Sequence, residues 1–436
     1  MLEKLQQHLN FKFSFLKEKK LLVAISGGVD SVVLTHLFHQ LNFDISLAHC
    51  NFNLRGTESD KDEFFVKELG EKLNLKTFTK SFETESFASE NQLSTQVAAR
   101  NLRYNWFQEI SIKHQFDFVL TGHHADDNLE TFLINLTRGT GLEGLTGIPE
   151  LNNNIVRPLL VFSRDEIENF ATKNNIDWRE DKSNASNKYV RNKIRNQVVP
   201  ILKEINPTLL DSFQKTTDYL QESQQIIDAS ISDFKKKVLK ETENSNLKID
   251  IAKIQETNNP KAYLYQLLKE FGFTEWRDVT NLLTAQSGKE VLSRTHRLLK
   301  DRGFLIISKK EEIKSNNNFL ISEDTLEIRS PIHLKIAAVS KIEKENKSTI
   351  HLDKNSITFP LTLRKWQYGD FFYPKGMQGK KKISKFFKDE KYSSIDKENT
   401  WLLCTENNIT WVIGKRQDNR FFANEKTKSI LKIELL

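Results

Sequence analysis

Two short segments of this chain combine residue types at spacings that suit chemistry: a glycine pair flanked by hydroxyl and carboxylate side chains, and a cluster of carboxylates. The first is Ser26–Ser31, with the sequence SGGVDS, which follows an apolar run and precedes apolar residues at helical spacing. Glycines let a backbone approach an anion closely, and the start of a helix adds its positive dipole end. The pattern therefore predicts a phosphate-binding loop, and the alternative is a turn that only connects a strand to a helix.

The second segment lies at 121–131, where three carboxylates follow another apolar run. Clustered carboxylates are unfavourable unless they face a cation or water. Asp127 and Glu130 are three residues apart, so a helix would present them on one face. The alternative is an acidic first helical turn that is stabilised by the helix dipole, with His123 and His124 as ordinary loop residues.

Basic residues are concentrated in two further places. Arg100 and Arg103 lie about one turn apart on a predicted helix, where solvated arginines are the default. Near the chain end, residues 364–391 hold nine basic, three acidic and seven aromatic residues, with consecutive lysines at 380–382. Lysines interleaved with aromatic rings suit a surface that binds phosphates and stacks on bases. A solvated lysine loop over an aromatic core is the equal alternative.

The elements that must position these groups alternate along the first half of the chain. Residues 21–25 form a predicted buried strand, and strands and helices alternate to about residue 173, which predicts an α/β domain with a doubly wound parallel sheet at 1–205. Ligands of such sheets bind at the carboxyl ends of the strands. Long helical stretches with a short β element near 300–309 predict a helical middle domain at 206–310. Short alternating strands predict a small β-rich domain at 320–436, after a polar linker at 309–318.

Length, charge and cysteine content limit the class of protein. At 436 residues the chain is long enough for two or three domains. Its formal net charge of +7 weakly favours a polyanionic partner, although many equally basic proteins bind no nucleic acid. Cys50 and Cys404 have no metal-ligand spacing, which disfavours a disulfide framework and a zinc site. We find no secretory signal and no run of about 18 apolar residues, so we expect a cytoplasmic protein without membrane contact.

Several segments, taken in order, resemble the tRNA(Ile)-lysidine synthase family of N-type ATP pyrophosphatases. Ser26–Ser31 lacks the lysine of the nucleotide P-loop and the glycine spacing of a dinucleotide fold, and is similar to the pyrophosphate loop of those enzymes. The remaining matching segments are His49–Arg55, Arg100–Tyr104, Gly122–Thr131, Arg157–Leu160, Asp181–Asn184, Tyr189–Arg195 and Arg364–Phe387. Phe52 and Asn128 depart from the family, where a histidine and a glutamine are common, and neither has a predicted role in the chemistry.

The resemblance implies ATP-dependent addition of free L-lysine to the wobble cytidine of the isoleucine tRNA with the anticodon CAU. The cytidine O2 would attack the α-phosphate of ATP, pyrophosphate would leave, and the lysine amine would displace AMP at C2. The loop would hold the pyrophosphate, with Mg²⁺ neutralising its charge and Asp30 near the metal. Asp127 and Glu130 would bind the lysine amine and help to deprotonate it. Arg103 would orient the lysine carboxylate or the adenylate.

The resemblance also implies the remaining site residues and partners. The candidate nucleotide-binding residues are Ser26, Gly27, Gly28, Val29, Asp30 and Ser31, and the candidate tRNA-binding residues are Arg191, Arg195, Lys380, Lys381 and Lys382. A homodimer is compatible with the family. The closest alternative is a tRNA thiolase or another adenylating tRNA-modifying enzyme, although sulfur transfer usually relies on catalytic cysteines or an iron–sulfur cluster. A small-molecule ligase would explain the loop, and a tRNA-binding protein without activity would explain the basic segment.

Overall fold

A computed structural model describes residues 1–180, 190–241, 246–310, 318–343 and 346–436. The chain divides into two compact units, Met1–Ala229 and Ser230–Leu436. The Asp181–Asn184 motif and Tyr189 lie outside the described residues, as does most of the predicted linker at 309–318. Of the helices that the structure describes, none is both long enough and apolar enough to span a membrane.

The first unit consists of helices around one six-stranded sheet. Its helices are α1 (Leu2–Lys12), α2 (Val29–Gln40), α3 (Thr57–Lys72), α4 (Thr84–Glu90), α5 (Thr95–His114), α6 (Ala125–Arg138), α7 (Leu142–Leu145), α8 (Arg164–Lys173), α9 (Val190–Lys193), α10 (Val199–Ile205) and α11 (Leu209–Val238). Its strands are β1 (Leu21–Ala24), β2 (Ile45–Asn51), β3 (Thr77–Ser81), β4 (Phe118–Thr121), β5 (Leu151–Asn152) and β6 (Ile155–Val156). A 3₁₀ turn at Ser14–Leu16 follows α1, and a π-helix at Ile194–Val198 joins α9 to α10.

The strand order is β3-β2-β1-β4-β6-β5, and every pairing is parallel except that of the edge strand β5 with β6. β1 lies between β2 and β4, and Leu21, Leu22 and Val23 are fully buried because helices cover both faces of the sheet. The predicted doubly wound parallel sheet is therefore confirmed. The strand order reverses at β1, so the segments after β1 and β4 border a cleft at the carboxyl edge of the sheet.

The second unit begins with a helical middle region that also contains a sheet. Its elements are β7 (Leu239–Glu241), β8 (Leu247–Asp250), α12 (Ile251–Gln255), α13 (Pro260–Leu268), α14 (Trp276–Asn281), β9 (Glu290–Leu292), β10 (His296–Asp301) and β11 (Phe304–Lys309), with a 3₁₀ turn at Lys269–Phe271. The helical character is confirmed, but the predicted β element near 300–309 is one hairpin of a five-stranded antiparallel sheet. Three of the strands have only three or four residues, which is too short for a readable alternation.

The C-terminal region is β-rich, as the sequence predicts. Its elements are β12 (Phe319–Ile321), β13 (Glu327–Ile328), β14 (Leu334–Val339), β15 (Thr349–Asp353), β16 (Leu361–Lys365), β17 (Phe371–Phe372), β18 (Lys381–Lys382), α15 (Ile383–Asp389), α16 (Ser394–Asn399), β19 (Trp401–Thr405), β20 (Asn408–Val412), β21 (Arg416–Gln417) and β22 (Ile430–Leu435), with a 3₁₀ turn at Lys354–Ser356. The strands form a five-stranded sheet, a four-stranded sheet and the short hairpin β17-β18. Apolar residues of the two larger sheets share one core, which includes the buried Trp411.

Candidate active site

The loop between β1 and α2 is held in shape by its own side chains. Gly27 has φ +91°, a conformation that residues with a side chain rarely adopt. The Ser31 hydroxyl donates a hydrogen bond to the Gly28 carbonyl (2.9 Å) and accepts one from the Ser26 N–H (3.1 Å). Ser31 is buried, whereas Ser26 is exposed. Ser31 therefore fixes the loop that presents Ser26 to the cleft.

The segment after β4 runs directly against the first turn of α2. A Cβ atom added to Gly122 would lie 3.0 Å from the carbonyl carbon of Asp30 and 3.1 Å from the nitrogen of Ser31. Both neighbours are backbone atoms, which cannot move aside, so only glycine fits without a shift of one segment. This close approach places the acidic segment beside the phosphate-binding loop.

His124 links these two segments. It caps the start of α6: its Nδ1 accepts from the Asp127 N–H (3.4 Å), and Asp127 Oδ2 accepts from the His124 N–H (3.2 Å). Its Nε2 lies 3.8 Å from Asp30 Oδ1 and 3.4 Å from Asp127 Oδ2. The imidazole thus stands between the carboxylate of the loop and the carboxylate of the helix, rather than acting as an ordinary loop residue.

The two carboxylate oxygens of Asp30 differ in their contacts, because only one of them accepts a hydrogen bond from the described residues. Oδ2 accepts from Nη1 of Arg164 at 2.5 Å. Oδ1 is buried and accepts no hydrogen bond from any residue that the structure describes. Burial raises the pKa of the Asp30 carboxyl, and the nearby His124 and Arg164 offset this only in part. The ionised form of Asp30 is therefore incompletely compensated, and a further cation beside Oδ1 would stabilise it.

Asp127 and Glu130 are held by two arginines from the α9–π-helix segment. Asp127 Oδ1 accepts from Nη2 of Arg191 (2.8 Å) and Nη2 of Arg195 (3.1 Å). Glu130 Oε2 accepts from Nε of Arg191 (2.7 Å) and Nη2 of Arg195 (3.0 Å), and Oε1 accepts from Nε of Arg195 (2.5 Å). The predicted amine-binding carboxylates and two predicted tRNA-binding arginines thus form a single cluster.

These contacts decide the ionisation of Asp127. Burial alone would raise the pKa of this carboxyl, but the nearby His124, Arg191 and Arg195 hold it below its ordinary value. Asp127 is therefore ionised at neutral pH, although its side chain is only 14% exposed.

One cavity of about 230 Å³ joins most of the predicted residues of the first unit. Its floor comes from β1 and β2, and its walls come from the loop, from α5 and from the segment after β4. Of the predicted residues, Gly27, Gly28 and Val29 of the loop do not line it. Glu130 and Arg195 do not line it either and lie behind Asp127 and Arg191. The lining residues are Ala24, Ile25, Ser26, Asp30, Ser31, Ala48, Cys50, Phe52, Arg103, Tyr104, Phe107, Thr121, Gly122, His123, Asp127 and Arg191.

Arg103 lines the cavity, and its guanidinium has no carboxylate partner among the described residues. Its guanidinium lies 5.2 Å from the centre of the Phe52 ring, a cation–π contact, and it forms no ion pair with the described residues. Phe52, one of the two departures from the family pattern, therefore supports an arginine of the site. The second departure, Asn128, is structural: it is buried, and its Oδ1 accepts from the Ile148 N–H at 2.6 Å.

Two titratable groups of the cavity wall are neutral at physiological pH. Burial lowers the pKa of His123 to about 4, so the imidazole carries no charge at pH 7. Burial raises the pKa of Cys50 to about 12, so its thiol stays protonated. A protonated thiol is a poor nucleophile and a poor metal ligand.

Sequence reasoning missed the cations that neutralise the loop and the acidic segment. Arg164 at the start of α8 pairs with Asp30, and Lys203 on α10 pairs with Asp126 at 2.7 Å. The surplus of carboxylates at two strand ends indicates that counter-ions must come from elsewhere. It does not indicate which residues supply them, because the partners are far away in the sequence.

The lysines at 380–382 lie in the second unit, around the β17-β18 hairpin. Lys381 pairs with Asp389 at 2.8 Å, whereas Lys380 lies over the Phe371 ring and Lys382 is exposed. Neither Lys380 nor Lys382 forms an ion pair within the described ranges. These lysines line a cavity of about 480 Å³ together with Gly369, Phe371, Met377, Gln378, Gly379, Lys385 and Asp389.

Three family models match the chain. A model described as a PP-loop domain matches residues 1–202, a model described as the TilS substrate binding domain matches residues 241–310, and a model described as the TilS substrate C-terminal domain matches residues 361–435.

The chain is also similar to curated proteins over nearly its whole length. A tRNA(Ile)-lysidine synthase of Parabacteroides distasonis is 41% identical, with 98% of each chain covered. Proteins of the same name from Bacteroides thetaiotaomicron and Porphyromonas gingivalis are 37% and 34% identical, covering 96% and 94% of this chain and 95% and 92% of theirs. The chain therefore belongs to the tRNA(Ile)-lysidine synthase family.

Proposed function

We propose that the protein joins free L-lysine to C2 of the wobble cytidine of the CAU-anticodon tRNA(Ile), with consumption of ATP. The observation that carries this proposal is that one cavity is lined by Ser26, Asp30 and Ser31 of the loop together with Arg103 and Asp127. The reaction needs a cradle for a leaving pyrophosphate and a carboxylate for an attacking amine, and both line this cavity. The names of the full-length relatives support the same substrates.

In the first step, the cytidine O2 attacks the α-phosphate of ATP, and pyrophosphate leaves with the electrons of the broken phosphorus–oxygen bond. Ser26 and the backbone at Gly27 and Gly28 face the leaving group, where N–H groups and the positive end of α2 stabilise negative charge. Val29 contributes only its backbone, because its side chain is buried in the core. Ser31 acts through the shape of the loop.

In the second step, the ε-amine of lysine attacks C2 and AMP leaves. An unperturbed lysine amine has a pKa near 10.4, so it must lose a proton before it can attack. Asp127, which lines the cavity, and Glu130 behind it bind the ammonium and help to deprotonate it. Arg103, whose charge has no ion-pair partner within the described residues, orients the lysine carboxylate or the adenylate.

Mg²⁺ fits this proposal at Asp30. Oδ1 of Asp30 is buried and unpartnered within the described ranges, and burial raises the pKa of this carboxyl, which favours a cation beside it. The described residues contain no group of three or more candidate ligands, so Asp30 would hold the ion together with phosphate oxygens and water. The ion supplies positive charge that neutralises the pyrophosphate.

The tRNA contacts of the proposal are Lys380, Lys381 and Lys382 in the second unit and Arg191 and Arg195 in the first. The side chains of Arg191 and Arg195 are 42% and 32% exposed, so phosphate oxygens can reach them. A tRNA substrate supports a cytoplasmic location. A homodimer stays a prediction of the family resemblance.

The thiolase alternative is less well supported. Cys50 lines the cavity, but the pKa of about 12 keeps its thiol protonated, and Cys404 is buried in the second unit with its pKa raised to about 11. A sulfur carrier needs a thiolate or a metal cluster. Neither cysteine therefore suits sulfur transfer.

Incubation of the protein with ATP, radiolabelled L-lysine and tRNA(Ile) tests the proposal. We expect label in the tRNA only when ATP is present, with one pyrophosphate and one AMP released for each lysine incorporated. A tRNA whose wobble cytidine is replaced by uridine is the matched control substrate and should stay unlabelled. Incorporation of sulfur in place of lysine, or tRNA binding without pyrophosphate release, would contradict the proposal.

A further inference from the structure

Every carboxylate oxygen of the proposed amine site already accepts at least one hydrogen bond. Both oxygens of Glu130 and Oδ1 of Asp127 accept hydrogen bonds from Arg191 and Arg195 at 2.5–3.1 Å. Oδ2 of Asp127 accepts from the His124 backbone at 3.2 Å. Oδ1 of Asp127 and Oε2 of Glu130 each accept two hydrogen bonds from the arginines and have no acceptor capacity left. A lysine ammonium donates three hydrogen bonds and accepts none, so it can reach these two oxygens only by displacing an arginine.

The charges of this cluster lead to the same conclusion. Two carboxylates and two guanidiniums form a neutral set, and Glu130 is only 2% exposed. An ammonium added beside Glu130 would be repelled by two guanidiniums that already balance the charge of these carboxylates, and this repulsion opposes its binding. Lysine and the arginines therefore compete for the same carboxylates.

The arginines can leave without unfolding the segment that carries them. Ile194, between the two arginines, is buried with Leu129, Val199 and Phe213, and this contact anchors the backbone on α6. Both guanidiniums retain solvent access, so rotation of the long side chains is enough to release the carboxylates. A phosphate is the competing partner that suits them, because guanidinium binds phosphate in the same bidentate way as carboxylate.

We propose that Arg191 and Arg195 form a gate that closes the lysine amine site until tRNA phosphates draw the guanidiniums away. Lysine then binds tightly only after tRNA, so the amine arrives where a cytidine is present to be modified. The inference rests on the proposed function, since it takes Asp127 and Glu130 as the amine site. Because coupling between two ligands is reciprocal, lysine also tightens tRNA binding by the same factor.

Equilibrium dialysis with radiolabelled L-lysine tests the gate. Wild-type protein is measured alone and with tRNA(Ile) plus a non-hydrolysable ATP analogue, and we expect about tenfold tighter lysine binding in the second case. Arg195→Gln and Arg191→Gln remove one gate cation each, so both variants should bind lysine about tenfold more tightly than wild type without tRNA. Arg195→Lys keeps the charge and should retain most of the tRNA dependence.

Arg297→Gln is the matched control, because Arg297 is ion-paired with Glu290 and Glu398 in the second unit. Its lysine affinity without tRNA should equal that of wild type. Equal lysine affinity of wild type with and without tRNA, or no gain in either gate variant, would overturn the gate. Incorporation of lysine by the same wild-type preparation is measured in parallel: its presence leaves the proposed function standing when the gate fails, and its absence overturns the function itself.

Discussion

The two sets of basic residues that the sequence offers for tRNA binding have opposite environments. Arg191 and Arg195 are each ion-paired with both Asp127 and Glu130, and the buried carboxylates keep them in place. In the lysine hairpin at 380–382, only Lys381 has a carboxylate partner, Asp389, among the described residues. The sequence shows the same kind of charge in both places, but only the structure shows which cations can bind a phosphate without first breaking an ion pair.

This difference assigns different work to the two regions. Lysines without a carboxylate partner can bind a phosphate without breaking an ion pair. They therefore suit the initial, salt-dependent binding of tRNA. Arginines that are already ion-paired bind a phosphate only if the new contact is more favourable than the carboxylate contacts it replaces. They therefore suit a role in controlling the order in which the substrates bind. Substitutions in the cleft and in the hairpin should therefore have different effects.

The largest effect is expected for the loop. Asp30→Asn should reduce ATP-dependent pyrophosphate release by about 100-fold or more, because the only loop carboxylate that can face Mg²⁺ loses its charge. Pyrophosphate release measured with saturating tRNA and lysine checks this. Asp44→Asn, at an exposed aspartate that precedes β2, is the control. Unchanged release in Asp30→Asn would mean that the nucleotide binds elsewhere.

The hairpin should govern tRNA affinity. Replacing Lys380, Lys381 and Lys382 by Gln should weaken tRNA binding about tenfold and reduce the salt slope of log K by about 2. Lys381→Gln alone should have a smaller effect than Lys380→Gln, because Lys381 is paired with Asp389. Filter binding at several salt concentrations measures both. Lys432→Gln, at a lysine paired with Glu343, should behave as wild type. Equal salt slopes in wild type and all four variants would favour a solvated loop.

The two aspartates of the cleft should change stability in opposite directions. The pKa of Asp127 lies below its ordinary value, so its ionisation stabilises the fold at neutral pH, and this contribution is lost as the pH falls below about 4. Asp127→Asn should therefore lower the free energy of unfolding at pH 7 by roughly 1–3 kcal/mol, with a smaller difference at pH 4. Urea unfolding at both values measures this.

Asp30→Asn is the internal comparison. Burial raises the pKa of Asp30, so its ionised form opposes folding at pH 7, and the variant should be as stable as wild type or more stable. If Asp30→Asn and Asp127→Asn lowered the free energy of unfolding by the same amount, neighbouring cations would stabilise the two carboxylates equally, and the predicted difference would be wrong.

The smallest effect is expected at Cys50. Cys50→Ser should retain lysine incorporation within about twofold of wild type, because the pKa of about 12 leaves the thiol without a role in acid–base or nucleophilic chemistry. A loss of activity without a loss of stability would reopen the thiolase alternative.

Local pattern was enough for much of the fold. The glycine pair with its flanking strand and helix, and the helical spacing of Asp127 and Glu130, are encoded within a few residues and appear in the structure as predicted elements. The domain boundaries at 205–206 and 310–320 stay predictions, as do the roles of the site residues. The β7–β9 strands were missed because one or two side chains on each face give no readable period.

The contacts that define the site could not be read from the sequence. Arg164 and Asp30 are 134 positions apart, and Arg195 and Glu130 are 65 positions apart. Such pairs depend on how the sheet and its surrounding segments fold, whereas the sequence gives only the charges. The buried Oδ1 of Asp30, which accepts no hydrogen bond from the described residues, and the arginine contacts to both Glu130 oxygens are likewise properties of the packed structure.

The central claim is that the carboxylates of α6 receive the attacking amine, while the loop serves the pyrophosphate. Pyrophosphate release and lysine incorporation measured side by side in Glu130→Gln test this most directly. We predict that the variant still releases pyrophosphate in the presence of ATP and tRNA(Ile) but incorporates lysine at least about 100-fold more slowly than wild type. Lysine incorporation at the wild-type rate, or an equal loss of both activities in a folded variant, would contradict the account.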